Sequence, residues 1–173
     1  DADHLELSEL RLRVHGPFEK RVGSPALRIT WAGADDTVCL VRVRQDNMLV
    51  CALFLGERTI LIGDIAKHAG TIRGMMTDPA YRRLGFGRAA MQVGQGYIWH
   101  DIAAQLGVLL SSEMAMPFYL SLGWRIFDGA VTCSQPGGAI TYTDVIREGA
   151  PMLLLADAEV MPTGTMNLRG LPF

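Results

Sequence analysis

The residues best suited to chemistry stand in one short run, "TDPAYRRLGFGRAA" at positions 77 to 90, where two arginines and two glycines precede a segment of helical composition. The first amides of a helix have no internal acceptor and carry the positive end of its dipole, so such a loop can hold an anion. Gly85 and Gly87 let a phosphate approach the backbone with no Cβ in the way, and Arg82, Arg83 and Arg88 add local positive charge. Together these point to a pyrophosphate. A lone G-x-G before a helix is as often only a tight turn, so the run does not decide by itself. "GFGRAA" also fits the dinucleotide pattern G-x-G-x-x-A, but there the glycines follow their strand directly, whereas residues 78 to 83 intervene here. No Walker Gly-Lys-Ser/Thr run exists.

Other side chains are weaker candidates. Tyr119 carries a phenol that can donate a proton without being charged beforehand, although beside Phe118 it also reads as a core aromatic. Glu113, after "LLSS", is a candidate base and equally an exposed carboxylate at a helix start. Asp64 and His68 are expected on a loop between strands, where acceptor recognition would sit. His4, His15 and His100 have no partners at metal-ligand spacing, so no metal is assigned; His100 falls at an expected helix end, where a cation suits the dipole. Cys39, Cys51 and Cys133 show no C-x-x-C spacing, which argues against a disulfide framework or a zinc cluster and fits a reducing, cytoplasmic setting.

These residues need a scaffold. The chain has 173 residues, 49% of them hydrophobic, which is enough for one ordinary domain spanning 1–173. A net charge of -2 gives no reason to expect a nucleic-acid or polybasic membrane partner. No apolar run approaches the roughly 20 residues of a spanning helix, and "DADHLELSEL" lacks the pattern of a signal peptide. Residues 4 to 14 read as a helix stopped by "GP", and 16 to 37 as loop. "TVCLVRVRQDNMLVCALFL" reads as a hairpin around "QDN", and "AGTIRGMMT" at 69 to 77 as a strand ended by Asp78-Pro79. A helix is expected from about Gly87 to Gln105, with Leu106 closing its apolar pattern, although Gly94 and Gly96 inside it each cost about 1 kcal/mol against Ala. "GVLLSS" at 107 to 112 is a buried strand, "MPFYLSLG" a short helix ended by Gly123, and "WRIF" and "GAPMLLLAD" are strands. The order implies an α/β or α+β fold, one sheet flanked by helices.

"MMTDPAYRRLGFGRA" resembles motif A of the GCN5-related N-acyltransferases (GNAT superfamily), whose R/Q-x-x-G-x-G/A is met by Arg82, Gly85 and Gly87. "LGVLLSS" followed by "FYLSLGW" resembles that family's later strand and its Y-x-x-x-G segment, here Tyr119 and Gly123. The matches span about residues 70 to 127 and occur in the family's order. "LGVLLSS…FYLSLGW" is similar to aminoglycoside 2'-N-acetyltransferases, while "ADHLELSE", "TWAGA" and "PTGTMNLRGLP" resemble the rhizobial nodulation-factor N-acyltransferases. Both branches acylate amino sugars.

The resemblance implies a mixed, mostly antiparallel sheet flanked by helices, with two central parallel strands that splay. It implies acyl transfer from acetyl-CoA or a longer acyl-CoA, or from an acyl carrier protein, to a small-molecule primary amine, with an amino sugar the expected acceptor. The amides from Arg83 through Leu84, Gly85, Phe86 and Gly87 to Arg88, together with Arg82, would bind the pyrophosphate, and the Met75 and Thr77 backbones the pantetheine arm. Tyr119 would be the general acid. The aminoglycoside enzymes place a Glu where Arg73 stands here, which leaves Glu113 or a water chain as base. The nine methionines would fill core or line an apolar groove for a longer acyl chain. A non-catalytic acyl-CoA sensor of the same fold is the other reading, and a homodimer stays open.

Overall fold

The structure, a computed structural model, describes residues 2–15, 37–135, 137–141, 149–157 and 159–172. Most of the region expected as loop, 16 to 36, and residues 142 to 148 lie outside the described residues. In chain order the elements are α1 Ala2–His15, β1 Cys39–Gln45, β2 Met48–Ile62, β3 Ile65–Thr77, α2 Phe86–His100, β4 Leu106–Ser112, α3 Met116–Leu120, β5 Arg125–Ile126, β6 Val131–Gln135, β7 Gly138–Thr141, β8 Gly149–Leu154 and β9 Met166–Asn167. The nine strands among the described residues form one sheet in the order β5-β8-β4-β3-β2-β9-β6-β7, with β1 alongside β2. Only β3–β4 and β6–β9 pair in parallel.

The β1–β2 hairpin forms where the sequence suggests. Asp46 and Asn47 adopt φ of 51° and 64°, the pair of left-handed residues of a type I′ turn, whose twist matches that of the flanking strands. β2 then runs on to Ile62 and returns through Gly63 and Asp64, so β3 begins at Ile65, four residues before "AGTIRGMMT". His68 therefore lies within β3 and not on a loop, with its Nε2 3.2 Å from Glu57 of β2. Asp64 sits in the turn at the end of the β2–β3 hairpin far from Thr77.

Alternation along β2 divides the core. Leu53 and Leu55 face α2, packing with Ala90, Met91 and Ile98, while Ala52 and Phe54 face α1 and its buried Leu10. Burying each such leucine contributes about 1.5–3 kcal/mol. α1 is also held by charge: the Arg13 guanidinium donates to Asp78 at 2.5 Å and to the Leu49 carbonyl at 2.7 Å, and Arg44 forks onto Glu6. α2 ends at His100, five residues short of the expected Gln105. Ala103 turns left-handed at φ 52°, and the amides of Asp101 and Ile102 both close on the Tyr97 carbonyl, so the chain leaves the helix and Leu106 opens β4 instead.

Candidate active site

β3 and β4 pair in parallel only from Ala69↔Leu106 to Ile72↔Leu109. Beyond that point β4 continues to pair with β8 and β3 with β2, but not with each other. Among the described residues the β4-facing edge of β3 from Arg73 to Thr77 thus lacks a strand partner, and unpaired backbone groups in a cleft seek a ligand or water. A bulge marks the parting. Arg73 is opposite Phe54 and Met76 opposite Ala52, so Gly74 and Met75 stand against Leu53 alone. Gly74 takes φ +57°, and a Cβ there would come within 2.9 Å of the Phe54 ring. Glycine is the residue that both conditions select.

The opening meets the start of α2. Asp78 accepts from the Ala80 amide and caps a short 3-10 turn over Pro79–Tyr81, after which Arg83 adopts φ 65° and Gly85 φ 90°. Gly85 precedes Phe86 as N-cap and offers no side chain to the helix, leaving the first α2 amides without a side-chain acceptor. No acidic residue stands in that first turn. A Cβ added at Gly87 would lie 3.0 Å from Met75 Cε, 3.3 Å from Thr77 Oγ1 and 3.6 Å from Phe118 Cζ. The helix entrance, the free end of β3 and α3 therefore converge on one place.

α3 brings Tyr119 to that place. The residue is only 8% exposed, its ring edge-on against Phe118 at 5.2 Å and Trp124 at 6.5 Å, and its hydroxyl makes no hydrogen bond among the described residues. Burial pushes its pKa up to about 12, with nearby Cys51 adding to the rise, so the phenol is a proton donor throughout the neutral range. Cys51 lies opposite Thr77 and accepts its hydroxyl at 3.3 Å; burial raises the thiol and that hydrogen bond lowers it.

The Acetyltransferase (GNAT) family model matches residues 6–124. The chain belongs to this family. A GNAT-family N-acetyltransferase of Escherichia coli solved in complex with CoA shares 13% identity with it at a TM-score of 0.58, covering 99% of this chain and 91% of that one. The ribosomal-protein-S18-alanine N-acetyltransferase of Escherichia coli gives 16% and 0.54, with 92% and 93% covered. ElaA of Escherichia coli gives 15% and 0.56, with 88% and 90% covered. At these identities the likeness is one of fold. The co-substrate of the GNAT family is an acyl-CoA.

Among the expected GNAT ligands, Met75, Thr77 and Gly87 meet at the convergence, Gly85, Phe86 and Arg88 stand beside them at the start of α2, and Leu84 is exposed. The three arginines differ. Arg82 Nε donates to the Thr77 carbonyl at 3.3 Å, and Arg88 turns away to Ser121. Only Arg83 of the three makes no side-chain hydrogen bond among the described residues. Glu113 is exposed on a 3-10 turn after β4, and the structure brings no partner to it among the described residues. Arg73 donates to the Thr37 hydroxyl at the parting of the strands. Met76, Met91, Met152 and Met166 are buried in the core, Met75 and Met116 are partly buried against it, and Met114 points to solvent. No group of three or more His, Cys, Asp or Glu able to hold a metal occurs among the described residues, and no described helix is long and apolar enough to cross a membrane. Sequence reasoning gave Cys51, Ser121 and Asp78 no part in the site. Only the last had a legible signal, as an Asp directly before Pro79.

Proposed function

We propose that this GNAT chain transfers an acetyl or longer acyl group from a CoA thioester, or from an acyl carrier protein bearing the same pantetheine arm, to a primary amine by direct attack. The observation that carries the reading is the parting of β3 from β4 after Ile72↔Leu109 beside a helix entrance whose amides have no side-chain cap. The amides from Arg83 to Arg88 would take the diphosphate, with Arg83 adding charge, and the backbones of Met75 and Thr77 the pantetheine. Tyr119, held protonated by burial, would supply the proton that the departing thiolate needs.

An amine attacks only when neutral. By the resemblance to the aminoglycoside enzymes, Arg73 stands where those place a Glu, and a guanidinium there would disfavour an ammonium beside it, which would lower the acceptor's own pKa. With Glu113 exposed, water carries the amine proton away. An amino sugar is the acceptor that the motifs "LGVLLSS" and "FYLSLGW" support. Three free cysteines support a reducing, cytoplasmic setting. The absence of a carboxylate at position 73, where Arg73 stands, supports a second reading, an acyl-CoA sensor without turnover. Thiol release from acetyl-CoA and octanoyl-CoA, offered with a panel of amino sugars and other primary amines, separates them. Turnover on any amine establishes the transferase, and tight CoA binding with none establishes the sensor.

A further inference from the structure

Arg88 belongs by motif to the phosphate-binding run, but its guanidinium is engaged elsewhere. From the first turn of α2 it donates to Ser121 Oγ at 2.9 Å and to the Ser121 carbonyl at 3.4 Å. Ser121 Oγ donates in turn to the Phe118 carbonyl at 2.7 Å, and the Ser121 amide bonds Pro117. Two turns further along α2, Gln95 donates to the Leu122 carbonyl at 2.9 Å. Tyr119 lies inside this frame, on a helix of five residues that has no side-chain cap of its own. So short a helix has no stability alone and takes its orientation from what it is tied to.

We infer that the Arg88 side chain is a positioning group for Tyr119, tying the proton donor's helix to the helix entrance that receives the diphosphate; only the Arg88 backbone amide, which alanine keeps, belongs to the phosphate site. The inference rests on the proposed acyl-CoA site. Its physical content is a division of labour within the motif: the backbone around Gly85 and Gly87 receives the donor, while the Arg88 side chain sets where the phenol stands relative to the thioester sulfur. A charge-assisted hydrogen bond holds a fixed geometry better than a neutral one, and a shift of the donor by about 1 Å suffices to weaken proton transfer strongly.

The test needs no acceptor. A phenol that donates to the CoA sulfur stabilises the thiolate, so the bound thiol should ionise at lower pH than free CoA, read from the ultraviolet absorbance of the thiolate during a pH titration of the CoA complex. Tyr119→Phe should abolish that shift. Arg88→Ala should raise the bound thiol's pKa toward the Tyr119→Phe value by about one pH unit, while the calorimetric Kd for CoA at neutral pH stays within about threefold of wild type. Ser121→Ala should do the same independently, the double variant should add nothing, and Arg88→Lys should restore part of the shift. Both side chains are exposed, so the variants are expected to fold. A thiol pKa unchanged by Arg88→Ala, or a Kd raised about tenfold or more, overturns the inference. Failure of the wild-type protein to bind CoA would overturn the proposed site itself, and is told apart because it appears before any substitution.

Discussion

Replacing Gly74 by alanine should damage both the fold and the donor site, by an amount that the local geometry lets us work out. At φ +57° a Cβ costs about 1–2 kcal/mol through its clash with the backbone. The same Cβ would stand 2.9 Å from Phe54 Cδ2 and 3.2 Å from Cε2, a contact with a ring packed against the α1 face, for which overpacking costs about 1–3 kcal/mol. Together these give about 3 kcal/mol. For a chain of this size each kcal/mol lowers Tm by about 2–4 °C, so Gly74→Ala should melt about 6–12 °C lower. Scanning calorimetry of Gly74→Ala, Phe54→Leu and the double variant separates the two parts. In the Phe54→Leu background the alanine should cost only the backbone part, about 1–2 kcal/mol. Because the bulge lies directly after the last β3–β4 pair, at the proposed pantetheine site, the same variant should also bind CoA more weakly. A Tm within about 2 °C of wild type would refute the claim that the left-handed φ and the Phe54 contact select glycine at the bulge.

Two other perturbations follow from the same packing. Tyr119→Phe should lower kcat by roughly 10²–10⁴ while leaving KM for the acyl-CoA near the wild-type value. Its pKa rises from 10.0 in the unfolded chain to about 12 in the fold, so the unfolded state releases the proton first and stability falls as pH rises from about 10 to about 12. Urea melts across that range should show a shallower fall in Tyr119→Phe than in wild type. Arg13→Ala strips the partner from Asp78, whose side chain is only 6% exposed, and should cost about 2 kcal/mol, less than a fully buried pair because Arg13 is itself 33% exposed. The midpoint of urea unfolding reads this, with the m-value unchanged.

Much of the fold was legible because it is written in local chemistry. The paired left-handed residues of the Asp46-Asn47 turn, the Asp78-Pro79 stop and Gly123 after α3 each declare themselves by residue type. The helix end was misplaced because Leu106 falls on the helical apolar spacing of Ala90, Val93, Tyr97 and Ile98, although Ala103 takes a left-handed φ that alanine rarely adopts, after α2 has ended at His100. β9 went unread: two residues are too short for any periodicity, and Met166 is defined by its partners Ile62 and Val131, which lie far away in sequence.

The site divides in the same way. The glycines and arginines of the helix entrance are adjacent in the chain, so their motif could be read directly. Cys51 meets Thr77 only through strand register, and Ser121 meets Arg88 only once α3 folds back beside α2. The motif assigns Arg88 to phosphate, whereas the fold turns its side chain to the proton donor's helix. Residue type carries the donor site, and long-range packing decides the acid's placement.

A titration of the isotope-labelled protein with CoA, followed through its backbone amide NMR signals, tests the central claim most directly. Binding at the parted strands and the helix entrance predicts that the largest shifts fall on Gly74 to Thr77 and Arg83 to Arg88, with none of comparable size when NAD replaces CoA. Shifts located elsewhere, or an equal response to NAD at those same amides, would contradict it.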